Sequence, residues 1–140
     1  GEKWKLHVRG QHEGGTEYWK VMYDHYIKSR ELEDRVILYP SVPDMNEWYE
    51  NIDILLHPGL KESFCYAVAE AMAKGIYPVV NEFYGSKDIW ASEVDLYQTH
   101  QEAVNYIQTY RGWPPDLNKR KFIEDHYPNQ KMFEEIDKLL

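Results

Sequence analysis

Ile54-Leu55-Leu56-His57-Pro58-Gly59-Leu60-Lys61-Glu62-Ser63-Phe64-Cys65-Tyr66-Ala67-Val68-Ala69-Glu70-Ala71-Met72-Ala73-Lys74-Gly75-Ile76-Tyr77-Pro78-Val79-Val80 decides the fold. Ile54 to His57 is apolar without alternation, the pattern of a strand buried on both faces of a parallel sheet. Phe64 to Lys74 reads as a helix and Gly75 as its C′ stop. Alanines at 67, 69, 71 and 73 let that helix sit close on a sheet. Tyr77 to Val80 is the next strand, with Pro78 tolerable only near its start.

The same alternation continues outward. Lys5 to Arg9 and Val36 to Tyr39 read as strands, the second ended by Pro40. Between them, Thr16 has the chemistry of an N-cap, and Trp19, Met22, Tyr23, Tyr26 and Ile27 mark one face of a helix. Asp44-Met45-Asn46-Glu47 and Thr99-His100-Gln101-Glu102 are capping-box patterns. Asp95 to Gln98 is a short strand; Leu117 to His126 and Asn129 to Leu140 are further helical stretches beyond the Gly112 to Pro115 break. The expected fold is α/β: a doubly wound, Rossmann-like parallel sheet flanked by helices. One domain is expected over residues 1–140, with its core at 4–110 and C-terminal helices at 116–140. Ligands of such sheets bind at the carboxyl ends of strands, here after Arg9, Tyr39, His57 and Val80.

The chain has 140 residues, is 43 % hydrophobic and 15 % aromatic, and carries a formal charge of −8, which argues for a folded domain and against nucleic-acid binding. No apolar run reaches membrane-spanning length. A single cysteine, Cys65, excludes an internal disulfide and a cysteine-based zinc site, and the expected location is cytoplasmic. His7, His12, His25, His100 and His126 show no metal-ligand spacing. A chain opening Gly1-Glu2-Lys3 reads as a fragment.

Chemistry concentrates between Glu62 and Glu70. A helix N-terminus beyond a buried strand presents free N–H groups, here at Phe64, Cys65 and Tyr66, that can hold a phosphate. Glu62 and Glu70 flank that site. Carboxylates there suit hydroxyl groups, such as those of a sugar and a ribose, rather than phosphate. Cys65 reads as a small packing residue before it reads as a nucleophile, and His57 as a packing histidine before a general base. Lys61 and Lys87 are surface lysines within possible reach of a phosphate.

Glu62 and Glu70 enclose seven residues, and Glu70-Ala71-Met72-Ala73-Lys74-Gly75-Ile76-Tyr77-Pro78-Val79-Val80 follows directly. This combination resembles the nucleotide-sugar half of retaining GT-B glycosyltransferases (glycosyltransferase family 4, group 1), over residues 4 to 110. The resemblance implies transfer of a hexose from a nucleoside-diphosphate sugar to an acceptor hydroxyl, with retention and no metal or other cofactor. It gives Glu62 the donor sugar and with it the catalytic role, Glu70 the ribose, and the backbone at Ser63 to Tyr66 the diphosphate. Ser41 and Val42, after the second strand, would lie near the base, and Gly85 near the sugar. Ser63 and Tyr66 stand where family members usually carry glycine. The family's first strand, its phosphate-binding Arg and Lys and the acceptor-binding half would precede residue 1, so the C-terminal half of a GT-B fold is expected here. That first strand would lie between two strands present in this chain. Closure of the sheet or association with another copy would fill its place. The resemblance also implies an isolated chain that transfers nothing, and a full-length enzyme that is cytoplasmic or peripheral at a membrane. A second reading keeps the fold without the chemistry, as a non-catalytic nucleotide- or carbohydrate-binding module. A sugar-nucleotide epimerase or a receiver domain fits less well, for want of a G-x-G-x-x-G or a phosphorylatable acidic cluster.

Overall fold

The computed structural model describes residues 4–9, 21, 23–39, 45–90, 93–112 and 116–128. The chain divides into two compact units, Gly1–Met45 and Asn46–Leu140. In the first, β1 (Leu6–Arg9) pairs in parallel with β2 (Val36–Tyr39), Leu6 opposite Val36 and Arg9 opposite Tyr39. Of the helix expected between them, the described part is a π-helical turn, Tyr23–Ile27, followed by a 3₁₀ turn, Lys28–Arg30. Thr16, Trp19 and Met22 lie outside the described residues.

The second unit opens at α1 (Met45–Tyr49), whose first residue closes the first unit. A three-stranded parallel sheet follows, β3 (Ile54–His57), β4 (Tyr77–Asn81) and β5 (Asp95–Tyr97), in the order β3-β4-β5. Its register sets His57 opposite Val80 and Asn81 opposite Tyr97, so three strand ends meet at one edge. Among the described residues, the strands form two hydrogen-bonded parallel sheets, a pair and a trio. The strand buried on both faces is β4, not β3: Val79 and Val80 are fully buried, whereas Leu56 of β3 is 37 % exposed. The reason is position, since β4 is central and β3 is an edge of its sheet.

Successive residues of β4 feed opposite cores. Val80 joins Val68 and Met72 of α2 (Tyr66–Ala73), Phe83, and Trp90 of α3 (Ser86–Trp90), with Phe122 and Ile123 of α5 (Leu117–His126) packed on that cluster. Val79 joins Tyr97 and Ala103 of α4 (His100–Thr109) on the other side. Helices therefore cover both faces, as a parallel sheet requires.

The stop and start signals act as their chemistry demands. At the end of α2, Gly75 has φ 75° and its N–H donates to the Met72 carbonyl, while Ile76 N–H donates to Ala71. These two bonds make a Schellman motif, which only a left-handed residue closes without strain. Thr99 Oγ1 accepts from Glu102 N–H, and the Glu102 carboxylate accepts from Thr99 N–H at 3.0 Å. Asp116 caps α5 by accepting from Asn118 N–H at 2.9 Å. Helix α3 was not expected; it starts from Gly85, at φ 86°, whose carbonyl accepts from Asp88 and Ile89. The Asp44 capping pattern and the stretch Asn129 to Leu140 fall outside the described residues. Among the described residues, no helix is long and apolar enough to cross a membrane.

Two substitutions separate core from cap. Met72→Ala, in a fully buried site, is expected to cost about 2–5 kcal/mol of unfolding free energy. Thr99→Ala removes a cap and is expected to cost about 1 kcal/mol. Urea unfolding of the two variants checks the ranking; equal losses would refute this account of the core.

Candidate functional site

The loop after β3 is fastened from the two neighbouring strand ends. The Tyr97 hydroxyl, at the end of β5, donates to the His57 carbonyl at 3.3 Å. The Asn81 amide, at the end of β4, donates to the Gly59 carbonyl at 3.3 Å. Asn81 and Tyr97 are both buried, and burial pushes the Tyr97 phenol above its ordinary pKa. Any larger residue at 59 would push aside the ends of the His57 and Glu62 side chains. A Cβ there would lie 2.5 Å from His57 Nε2 and 2.8 Å from Glu62 Oε1.

Beside that glycine, three side chains converge. His57 Nε2 is 3.3 Å from Glu62 Oε1 and 3.4 Å from Cys65 Sγ. The His57 and Glu62 side chains are 15 % and 33 % exposed, and Cys65 is 7 % exposed. The group opens toward solvent through the glutamate.

Helix α2 begins at Tyr66, two residues later than the sequence suggests, with Cys65 as N-cap. Its first-turn amides are therefore those of Tyr66, Ala67 and Val68, the last donating to the Cys65 carbonyl at 3.1 Å. Cys65 holds φ 64° and ψ 76°, a left-handed conformation uncommon outside glycine. Ser63 and Tyr66, the expected glycine places, do not have positive φ; the position whose backbone favours glycine is Cys65. A thiol at a helix N-terminus is often acidified. Here burial raises the Cys65 pKa and outweighs the lowering effect of the Val68 amide; the Glu62 carboxylate raises it further.

The remaining candidates have distinct neighbours. Glu70 is exposed on α2, and its Oε2 accepts from the buried Tyr49 hydroxyl at 3.2 Å. The two glutamates are thus held by different partners, Glu62 by the β3 loop and Glu70 by α1. Phe64 packs its ring on Trp90 and Tyr127, with centroids 5.2 and 4.9 Å away. Its backbone alone is left for a ligand. Ser63 and Tyr66 are exposed. Gly85 leaves open space around its α-carbon. Lys87 binds Glu82 at 2.7 Å, and Gln98 donates to the same carboxylate, holding it below the usual range. Ser41 and Val42 lie outside the described residues. Tyr39 closes β2 of the first unit and hydrogen-bonds His7 Nδ1 at 2.8 Å. A depression of about 300 Å³, lined by Tyr49, Glu50, Asp53, Lys74 and Tyr110, lies at the opposite, amino end of β3 and β4.

Sequence reasoning did not single out Gly59, Asn81, Tyr97 or Tyr49 as parts of the site. Asn81 and Tyr97 are the last residues of their strands, which was the available signal. The thiol environment gives a direct test. At pH 8, iodoacetamide is expected to alkylate Cys65 at least about tenfold more slowly in the folded chain than in urea, since burial both hides the sulfur and keeps it protonated. Equal rates would refute the burial.

The sequence matches the model of the family "Glycosyl transferases group 1" over residues 1–108. It is also similar to Protein CapJ of Staphylococcus aureus, 30 % identical over 64 residues. That stretch is 44 % of this chain and 16 % of CapJ, so the chain spans only a small part of that relative. The family match covers most of the chain, including β1 to β5 and the whole loop from His57 to Cys65. The chain belongs to the group 1 glycosyltransferases.

Proposed function

We propose that this chain is the donor-binding part, the C-terminal half, of a retaining GT-B hexosyltransferase of glycosyltransferase family 4. It would use a nucleoside-diphosphate sugar and transfer the hexose to an acceptor hydroxyl held by a further, N-terminal domain. The observation that carries the reading is the placement of Glu62 and Glu70 on either side of the α2 N-terminus, at the carboxyl edge of a parallel sheet, in a chain of this family.

Each residue has work in that scheme. Glu62 accepts hydrogen bonds from sugar hydroxyls and fixes the ring for transfer. Glu70 accepts from the ribose, with the Tyr49 hydroxyl holding its second oxygen. The backbone from Ser63 to Tyr66, at the entry to α2, meets the diphosphate. When the bond from the anomeric carbon to the phosphate oxygen breaks, the electron pair goes to the diphosphate, and oriented N–H groups stabilise it there. Asn81 and Tyr97 keep the loop in place, so little ordering is left for the moment of binding. Ser41 and Val42 take the base side and Gly85 the sugar side. The full-length enzyme works in the cytoplasm or at a membrane surface. Closure of the cleft by the acceptor domain excludes water, and the isolated chain provides one wall of that cleft.

Calorimetry with a panel of nucleoside diphosphates and the matching nucleotide sugars tests these roles. Glu70→Ala is expected to weaken both classes of ligand by about 1.5–3 kcal/mol, roughly 10- to 150-fold in Kd. Glu62→Ala is expected to spare the plain diphosphates and weaken only the sugar-linked donors. No binding of any diphosphate at millimolar concentration would overturn the donor-binding reading. The isolated chain is expected to give no acceptor-dependent release of nucleoside diphosphate; release above background would show that it carries the whole reaction.

A further inference from the structure

We propose that the depression at the amino end of β3 and β4 is a second ligand site, which holds one neutral pyranose ring of a carbohydrate. It is remote from the loop that carries Glu62. Asp53 immediately precedes β3 and Ile76 immediately precedes β4, whereas Glu62 lies beyond the other end of β3. The four residues of β3 put about 13 Å of strand between the two places. The proposal does not rest on the donor-binding reading. The volume of about 300 Å³ is at the lower end for small-molecule clefts and suits one sugar ring better than a nucleotide.

The lining decides the class of ligand. Tyr49 and Tyr110 supply aromatic surface, whose partly negative faces attract the polarised C–H groups of a pyranose. Exposed Glu50, Asp53 and Lys74 supply charge. Two carboxylates disfavour an anion such as phosphate, and the Lys74 ammonium disfavours a compact cation. A neutral hydroxylated ring suits both signs, since its O–H groups donate to carboxylates and its oxygens accept from an ammonium. Burial, and then the Asp53 carboxylate beside it, raise the Tyr110 pKa, so the phenol stays a hydroxyl that can also donate. The walls are set without a ligand. The Tyr49 hydroxyl is engaged with Glu70 at 3.2 Å, and the Tyr110 ring lies against that of Tyr77 with centroids 5.4 Å apart. The Asp53 carbonyl accepts from Tyr77 N–H at 3.2 Å, and the Gly75 carbonyl from Asp116 N–H at 3.1 Å. A site fixed in this way loses little freedom when it is filled.

Amide proton–nitrogen correlation spectra of the full chain, titrated with the methyl pyranosides of glucose, galactose, mannose and N-acetylglucosamine, test the site. At least one pyranoside is expected to bind with a Kd on the order of 1–10 mM. The shifts are expected at Asp53, Lys74 to Ile76 and Tyr110, and not at Ser63 to Tyr66. Asp53→Asn and Lys74→Met, both at exposed positions, are each expected to weaken that pyranoside roughly fivefold or more, the effect of exchanging or losing one charge-assisted hydrogen bond. Tyr110→Ala is expected to weaken it further; if its spectrum is not that of a folded chain, Tyr110→Leu takes its place. Lys121→Ala, at an exposed residue of α5, is expected to change nothing. No response to any of the four at roughly 50 mM, a limit five times the weakest expected Kd, overturns the proposal. So do shifts confined to the Glu62 loop, binding untouched by the Asp53, Lys74 and Tyr110 substitutions, or a response of the same amides to inorganic phosphate or methylammonium and to no pyranoside. Nucleoside diphosphates play no part in the measurement, so its failure leaves the donor-binding reading standing, and failure of that reading leaves this one.

Discussion

Burial of β4 on both faces is the constraint on which the second unit depends. A strand of five residues with Pro78, Val79 and Val80 fully enclosed must be covered from both sides. Each of the two valines stabilises the fold by roughly 1.5–3 kcal/mol through burial of its side chain. That demand recruits α2, α3 and α5 to one face and α4 to the other. It also sets the height at which the strands stop, because β3 and β5 are in register with β4. His57, Asn81 and Tyr97 therefore end near one edge, where their side chains and carbonyls can meet.

The site at that edge is shaped by competition between burial and the helix end. The helix N-terminus favours negative charge, yet the sulfur at its cap is enclosed and kept protonated. Carboxylates on either side remain reachable from solvent, Glu62 in part and Glu70 more fully. Hydrogen-bond acceptors are thus available where a polyhydroxylated ligand would come, while the thiol is withheld from it. The residues that hold this arrangement carry no reactive groups of their own: an asparagine, two tyrosines and a glycine.

Much of this was legible in the sequence because it is local. The capping box at Thr99, the stop at Gly75 and the helix from Leu117 to His126 each depend on side chains or φ angles within a few residues. The E-x7-E pattern and the alanine-rich helix pointed to the loop after β3 as the candidate site. What was hidden depends on neighbours in space. The doubly buried strand is β4 and not β3, since strand order is not written in a four-residue apolar run. Helix α3 is too short to show a period. The glycine-favouring position is Cys65, because its φ is set by the way the loop enters α2 and not by residue type. The grouping of His57 and Cys65 around Glu62 escaped for the same reason: the three lie at a strand end, in a loop and at a helix cap, so no single periodicity relates them.

The left-handed backbone at Cys65 has a consequence for which residues the position can accept. Glycine would relax the φ of 64° but would leave a hole in the cluster that Val68, Met72 and Trp90 complete. Larger apolar residues would fill the volume yet sit worse in that conformation, β-branched ones most of all. Asparagine tolerates the backbone but would bring a polar amide into a buried place. Cysteine is small, weakly polar and unbranched, so the loop's entry angle and the core's shape together leave few substitutes for it. An accident of chain direction thus narrows the choice of residue at the mouth of the helix as tightly as any ligand would.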